Sequence, residues 1–280
     1  MDKILYNKNF VVLVIFMTIV AFCAIVYELL IAYVLSYLLG DSILYFSVTI
    51  GLFLSSMGIG SYLSYKIGDK SSELVERIVV IELLLGIIGG FSIAVIYSVA
   101  SYSIVYHRMH LNSFLGSTIP LHIVSFLIIV LIGIFVGLEI PLLTRLVNKN
   151  SKLKYTLARI LTADYIGSFL GSIAFPLLLL PFIGVIKTSF LNGILNILTV
   201  LIILYYYRIK NYKWYISGSL LIILLLSIFF IKSNKIELYF DKKMYTYNDN
   251  SEIVTSLQSP YQKIILTKRE SENNTFITLF

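Results

Sequence analysis

Seven long apolar runs constrain the fold of this chain more than any other feature of its sequence. Each is about as long as the roughly 20 residues that a helix needs to cross a bilayer. They lie near 10–36, 43–66, 78–105, 118–146, 160–183, 186–207 and 213–231. With 58% hydrophobic and only 13% charged residues, the sequence is unlike that of an ordinary soluble domain. We therefore predict an all-α polytopic membrane bundle of about seven transmembrane helices over 1–231.

The basic residues favour one orientation of this bundle. Thirteen lysines and arginines lie before the first run or in the segments 66–77, 145–159 and 208–213, whereas the alternate loops contain only Arg108 and Lys187. Because loops rich in Lys and Arg stay in the cytoplasm, we expect a multi-pass protein of a bacterial-type inner membrane with a cytoplasmic N-terminus. Seven spans then place the residues after 231 outside. The seventh run is the shortest, so a miscount there is the first alternative to consider.

Small residues are spaced for close contact between helices. They recur four residues apart in four of the runs, as Ser56, Gly60 and Ser64, Gly86 and Gly90, Gly133 and Gly137, and Gly167 and Gly171. A face of small residues lets a second helix approach closely, so the pattern predicts a compact bundle. Between the fifth and sixth runs, Pro181-Phe-Ile-Gly184 predicts a tight turn.

Charged residues also lie inside the apolar runs. A carboxylate in hydrocarbon costs at least a few kcal/mol, so Glu139, just before Pro141, must face other helices or a water-filled cavity. In one interpretation, Glu139 and Asp164 pair with Arg145 and Arg159 across the short loop between the fourth and fifth runs, as a helix 4–helix 5 cluster that holds the bundle together. In the other, the carboxylates bind a small cation such as a diamine. The predicted intramembrane polar cluster consists of Glu28, Glu82, Glu139, Arg145, Arg159 and Asp164.

No metal site is predicted from the cysteine and histidine residues. The single cysteine, Cys23, lies in an apolar run, so the sequence has neither a disulfide framework nor a zinc-ligand spacing. The histidines (His107, His110 and His122) lie in or near one loop without a cluster of carboxylates or thiols. We interpret them as polar residues at a membrane interface.

The residues after 231 differ in composition from the rest of the chain. The segment 232–280 contains three short runs of β type, which are Ile236–Phe240, Lys263–Thr267 and Thr275–Phe280. Three strands in so short a segment give too little apolar area for an independent core, and the last strand has no sheet to join. We expect an incomplete β-rich soluble fragment that opens a larger domain.

Four stretches, taken together, resemble the membrane-bound spermidine synthases, a family of polyamine aminopropyltransferases with a multi-span domain before a soluble enzyme domain. The second run, from Ser47 to Ser64, is similar to the family's second-helix signature. Gly137-Leu-Glu-Ile-Pro-Leu-Leu-Thr-Arg145 resembles its fourth-helix motif, and Ala163-Asp-Tyr-Ile-Gly-Ser-Phe-Leu-Gly-Ser172 its fifth. Ser259-Pro-Tyr-Gln-Lys-Ile-Ile-Leu-Thr267 resembles the small β-domain that opens the enzyme module.

The resemblance implies a reaction and a co-substrate. In the family, an aminopropyl group passes from decarboxylated S-adenosylmethionine to putrescine, which gives spermidine and methylthioadenosine. Gln262 is similar to the substrate-binding glutamine of the family's Tyr-Gln motif. The family's glycine-rich nucleotide turn and catalytic aspartate have no counterpart in this sequence, so we expect no catalytic residue and no bound cofactor in these 280 residues.

Two functional interpretations follow from these observations. In the first, the chain is a truncated membrane domain of a spermidine synthase-like protein, inactive alone. Its expected partners are the lipid bilayer, a separate catalytic aminopropyltransferase chain and a second copy of itself, and nucleic acid is not among them. In the second, the bundle is a transporter or exporter of a polyamine or another small cation. An adjacent reading frame that encodes a glycine-rich nucleotide fold would favour the first.

Overall fold

The structure, a computed structural model, describes residues 2–68, 70–108, 116–148, 153–207, 209–246, 251–258, 263–271 and 274–279. Within these residues the chain forms seven α-helices followed by three β-strands. The helices are α1 (Asp2–Leu39), α2 (Ser42–Leu63), α3 (Ser71–Arg108), α4 (Ile119–Asn148), α5 (Leu153–Ala174), α6 (Val185–Tyr206) and α7 (Tyr212–Tyr245). The strands are β1 (Ser251–Gln258), β2 (Lys263–Ser271) and β3 (Asn274–Leu279).

The seven predicted apolar runs coincide with the seven helices. Each helix is long and apolar enough to cross a membrane, when α5 is taken together with the π-helical segment Phe175–Ile183 that continues it. The break predicted before α6 lies at Gly184, whose φ of 86° is left-handed and therefore suits glycine. Residues 181–183 of the predicted turn are π-helical instead. The π-helical segment was not predicted. It contains Pro176 and Pro181, which lack the N–H that a regular α-helical ladder requires.

Three pairs of helices pack closely through small residues, as the four-residue spacings predict. α2 packs against α4, α1 against α5, and α3 against α6. A Cβ atom added at Gly137 of α4 would lie 2.1 Å from the carbonyl oxygen of Met57 in α2. One added at Gly193 of α6 would lie 2.7 Å from the carbonyl oxygen of Gly86 in α3. The backbones approach too closely at these positions for any larger residue.

Helix α7 differs from the prediction. It continues to Tyr245, so the strand predicted at Ile236–Phe240 is wrong, and the boundary predicted at 231 lies within a helix. The end of α7 is held beside α3 and α1. Phe240 stacks on Tyr97 with 5.9 Å between ring centroids, and the hydroxyls of Tyr245 and Tyr37 lie 2.5 Å apart. At 34 residues α7 is not a short span, which argues against a miscount there.

The three strands form one antiparallel sheet in the order β1-β2-β3. The predicted strands in 263–267 and 275–280 correspond to β2 and β3, whereas β1 was not predicted. The expectation that the last strand has no sheet to join is wrong, because β3 pairs with β2 from Leu279 opposite Leu266 to Asn274 opposite Ser271. The sheet follows the end of α7, at the opposite end of the bundle from the basic segments.

Candidate functional site

Glu139 lies on the face of α4 that points into the bundle. Gly137 of the same helix contacts α2, and two residues further along a helix means a rotation of about 200°. Glu139 therefore faces away from α2, and its side chain is 0% exposed. The group opposite it is the carboxyl of Glu82 on α3, which is also 0% exposed and interacts directly with Glu139.

Two asparagines of α6 extend this pair. The side-chain amide of Asn196 donates a hydrogen bond of 2.8 Å to Oε2 of Glu82. One turn earlier, the amide of Asn192 donates to the carbonyl oxygen of Cys23 in α1, also at 2.8 Å. Because Glu82 lies one turn before Gly86, it shares the face of α3 that packs against α6. The close α3–α6 contact therefore brings the carboxyl and the amides together.

Tyr27 of α1 borders the same place. Its ring lies against Gly89 of α3, where an added Cβ atom would be 2.3 Å from the ring. Its side chain is 0% exposed, and its hydroxyl interacts electrostatically with Glu82. We call the five residues that meet here the core polar cluster. They are Tyr27, Glu82, Glu139, Asn192 and Asn196.

Several atoms of the core polar cluster lack hydrogen-bond partners among the described residues. They are Oε1 of Glu82, both carboxylate oxygens of Glu139, Oδ1 of Asn192 and the hydroxyl of Tyr27. A contact between two carboxyl groups provides a hydrogen bond only when one of them carries a proton, so in the ionised form the contact of Glu82 with Glu139 satisfies neither group. In proteins, the great majority of buried polar groups have at least one hydrogen-bond partner. This concentration of unsatisfied oxygens therefore distinguishes the cluster from an ordinary packing contact.

The carboxyl pair lies at one depth in the bundle. Glu139 is nine residues before the end of α4 at Asn148, a rise of about 14 Å. Glu82 is eleven residues after the start of α3 at Ser71, a rise of about 17 Å. Both rises are measured from the end of the bundle that carries the basic segments.

A cleft of about 450 Å³ opens at this same end. Its rim carries charged residues, of which Glu76 accepts a hydrogen bond of 2.7 Å from Tyr215. Its wall includes Ile81 and Leu138, which directly precede Glu82 and Glu139 in the sequence. The cleft is lined by Lys66, Ile67, Gly68, Glu73, Glu76, Arg77, Val80, Ile81, Leu84, Phe135, Leu138 and Tyr215.

The predicted polar cluster is only partly assembled. Arg145 donates to the carbonyl oxygens of Ser64 and Ile67, at 2.6 and 2.9 Å, and so ties α4 to the connection between α2 and α3. Neither oxygen of Glu139 has a hydrogen-bond partner among the described residues, so the predicted pairing of Glu139 with an arginine is not found. Arg159 is exposed on α5.

The remaining two predicted acidic residues lie apart from the carboxyl pair. Asp164 is half-buried on α5 and acts on Glu139 only electrostatically. Glu28 is buried in α1, where 4% of it is exposed. The core polar cluster therefore involves α1, α3, α4 and α6, whereas a cluster between helices 4 and 5 was predicted.

The sequence contained a signal for the missed residues. Asn192 and Asn196 are four residues apart in an otherwise apolar helix, which places both amides on one face. Of the other predicted positions, Gln262 and His110 lie outside the described residues. His122 bonds to the hydroxyl of Tyr45 at 2.8 Å, which agrees with a structural role.

No protein-family model matches the chain, and no solved structure matches it. Curated relatives do. A polyamine aminopropyltransferase of Leptospira interrogans is 37% identical over 92% of this chain and 48% of its own length. Polyamine aminopropyltransferase 2 of Ralstonia nicotianae is 31% identical over 97% of this chain and 51% of its own length. A polyamine aminopropyltransferase of Oceanobacillus iheyensis is 32% identical over 91% of this chain and 46% of its own length. The chain is therefore similar to about half of a polyamine aminopropyltransferase.

Proposed function

We propose that this chain is the membrane-embedded part of a polyamine aminopropyltransferase that serves spermidine biosynthesis. The observation that carries the proposal is 37% identity over 92% of the chain to a protein of that name. Because the matched stretch is only 48% of that relative, we assign the transfer from decarboxylated S-adenosylmethionine to putrescine to its remaining part. The relatives described above are named as transferases, and none as a transporter.

The proposed membrane location is supported by the outer surface of the helices. Large apolar side chains that face away from the bundle are strongly exposed, among them Phe182 at 81% and Ile231 at 78%. Contiguous exposed apolar surface of this kind is unfavourable in water and favourable in lipid. The seven helices also meet the length and composition that membrane spans require.

A chimeric enzyme tests the proposed function. We expect that replacing the matched stretch of the Leptospira interrogans relative by this chain gives a protein in the membrane fraction that forms spermidine in a host lacking spermidine synthase. The matched control is the unmatched part of the relative alone, which we expect in the soluble fraction. A chimera that reaches the membrane in full amount but forms no spermidine would contradict the proposal.

In the proposed orientation the N-terminus is cytoplasmic, because the segments on that side of the bundle contain most of the lysines and arginines. The sheet then lies on the outer side, because it follows the opposite end of the bundle. A Ser251→Cys variant tests this, since Cys23 is buried and leaves little background labelling. We expect a membrane-impermeant maleimide to label the variant in intact cells. Labelling only after permeabilisation would mean that the sheet faces the cytoplasm, against the charge rule.

A further inference from the structure

The core polar cluster contains more hydrogen-bond acceptors than donors. Oε1 of Glu82, both carboxylate oxygens of Glu139 and Oδ1 of Asn192 have no donor among the described residues, and Asn196 supplies only one amide bond to the cluster. Each of these residues is at most 2% exposed, and the two glutamates are 0% exposed. The structure therefore leaves four acceptor atoms unpaired where water has little access.

Within the part of the chain that the structure describes, no lysine or arginine forms an ion pair with Glu82 or Glu139. Two ionised carboxylates in contact repel each other, and a low-dielectric interior strengthens the repulsion, so both can be ionised only when a cation lies beside them. The arginine nearest along α4, Arg145, directs its guanidinium to the carbonyl oxygens of Ser64 and Ile67. A ligand that suits the cluster must therefore bring both positive charge and several hydrogen-bond donors.

We propose that the core polar cluster binds the protonated primary amine of a small alkylamine. An ammonium group carries three N–H donors and one positive charge, so one group supplies both the hydrogen-bond donors and the charge that the cluster needs. A single shared proton joins only the two carboxyl groups and leaves Oδ1 of Asn192 unpaired. The aromatic ring of Tyr27, beside Glu82, is a further group that attracts an ammonium ion.

The cleft at the basic end offers a route and a place for the alkyl chain. Ile81 and Leu138 in its wall directly precede the two glutamates, so the cleft and the carboxyls are adjacent along both helices. Val80, Leu84 and Phe135 make part of the wall apolar, which suits methylene groups. Its charged part contains Glu73 and Glu76 together with Lys66 and Arg77.

This inference goes beyond the proposed function, which assigns membrane embedding to the chain and chemistry to another part of the protein. Amine binding by the purified chain can therefore succeed or fail independently of aminopropyl transfer, and the two results are read in different assays.

Equilibrium dialysis of the purified 280-residue chain in detergent, with radiolabelled putrescine as the probe, tests the proposal. We expect saturable binding that butylamine displaces and that NaCl and tetramethylammonium at the same ionic strength do not, since neither has an N–H donor. Glu139→Gln should weaken binding by about tenfold or more, because it removes charge-assisted hydrogen bonds. Glu82→Gln should act in the same direction.

Two further variants keep the test decisive. Glu28→Gln removes a buried carboxyl elsewhere in the bundle and should bind putrescine as the unmodified chain does. Tyr27→Leu removes the aromatic ring that attracts an ammonium ion and should weaken binding, though less than Glu139→Gln does. It provides the test if the glutamate variants fail to elute as single species. Absence of saturable putrescine binding, displacement by tetramethylammonium, or unchanged binding by a folded Glu139→Gln variant would each overturn the proposal.

Discussion

The two ends of the α3–α6 interface differ in whether their polar side chains have hydrogen-bond partners. Towards the sheet end, the hydroxyl of Ser189 donates to the carbonyl oxygens of Gly89 and Gly90, at 2.9 and 2.8 Å. The hydroxyl of Ser92 donates to the carbonyl oxygen of Gly89 at 2.7 Å. Towards the basic end, Glu82 satisfies one oxygen through Asn196 and leaves the other without a partner.

The difference shows which polar groups serve packing. The serines lie where glycines bring the two backbones together, and their hydroxyls donate hydrogen bonds to carbonyl oxygens of those glycines. An unsatisfied buried acceptor costs about 1–3 kcal/mol, and the cluster contains several of them. A group that only held helices together would not carry this cost, so the serine end is structural and the glutamate end is a candidate site.

The largest expected effect comes from breaking the packing that both ends share. In Gly193→Ala the added Cβ atom would lie 2.7 Å from the carbonyl oxygen of Gly86 and 2.9 Å from Cα of Gly90, and backbone cannot move aside cheaply. We expect a loss of about 3 kcal/mol in the free energy of unfolding, seen as a lower melting temperature in detergent. Gly218→Ala is the control, because nothing lies within 4 Å of its Cβ position. Equal melting temperatures for the two variants would show that α3 and α6 are not in close contact.

An intermediate effect of opposite sign is expected at the glutamate end. Glu139→Gln replaces one of two adjacent buried carboxyls by a neutral amide that can donate to Glu82. The free energy of unfolding should therefore rise by about 1–2 kcal/mol, seen as a higher melting temperature. Glu28→Gln again provides the comparison at a buried carboxyl outside the cluster. A marked loss of stability in Glu139→Gln would mean that Glu82 and Glu139 stabilise the helix packing, as the serines do.

The smallest expected effect is at the serine end. Ser189→Ala removes a hydroxyl that donates to two carbonyl oxygens, and the free energy of unfolding should fall by about 1 kcal/mol. Ser217→Ala provides the control, since that hydroxyl is exposed and bonds only within its own helix turn, to Trp214. If Ser189→Ala raised the melting temperature as Glu139→Gln is expected to, the distinction between the two ends would fail.

The strand predicted at Ile236–Phe240 shows where local sequence preference is overridden. Its β-branched and aromatic residues favour a strand, but β-propensity largely reflects packing with neighbours. In the structure Phe240 packs on Tyr97 of α3, and Lys243 lies 3.4 Å above the ring of Tyr102. These contacts come from residues more than 100 positions away, so no local pattern contains them.

The sequence by itself determined the number of helices, their close contacts through small residues and the burial of Glu139. Those properties depend on run length, residue size and the cost of a charge in an apolar run, and each can be read from neighbouring residues. Only the tertiary structure decided what Glu139 faces. Its partner Glu82 lies 57 positions away on α3, and the two asparagines lie on α6. Which helices become neighbours is set by how all of their faces fit together, and that fit turned an expected ion pair into a buried pair of carboxyls.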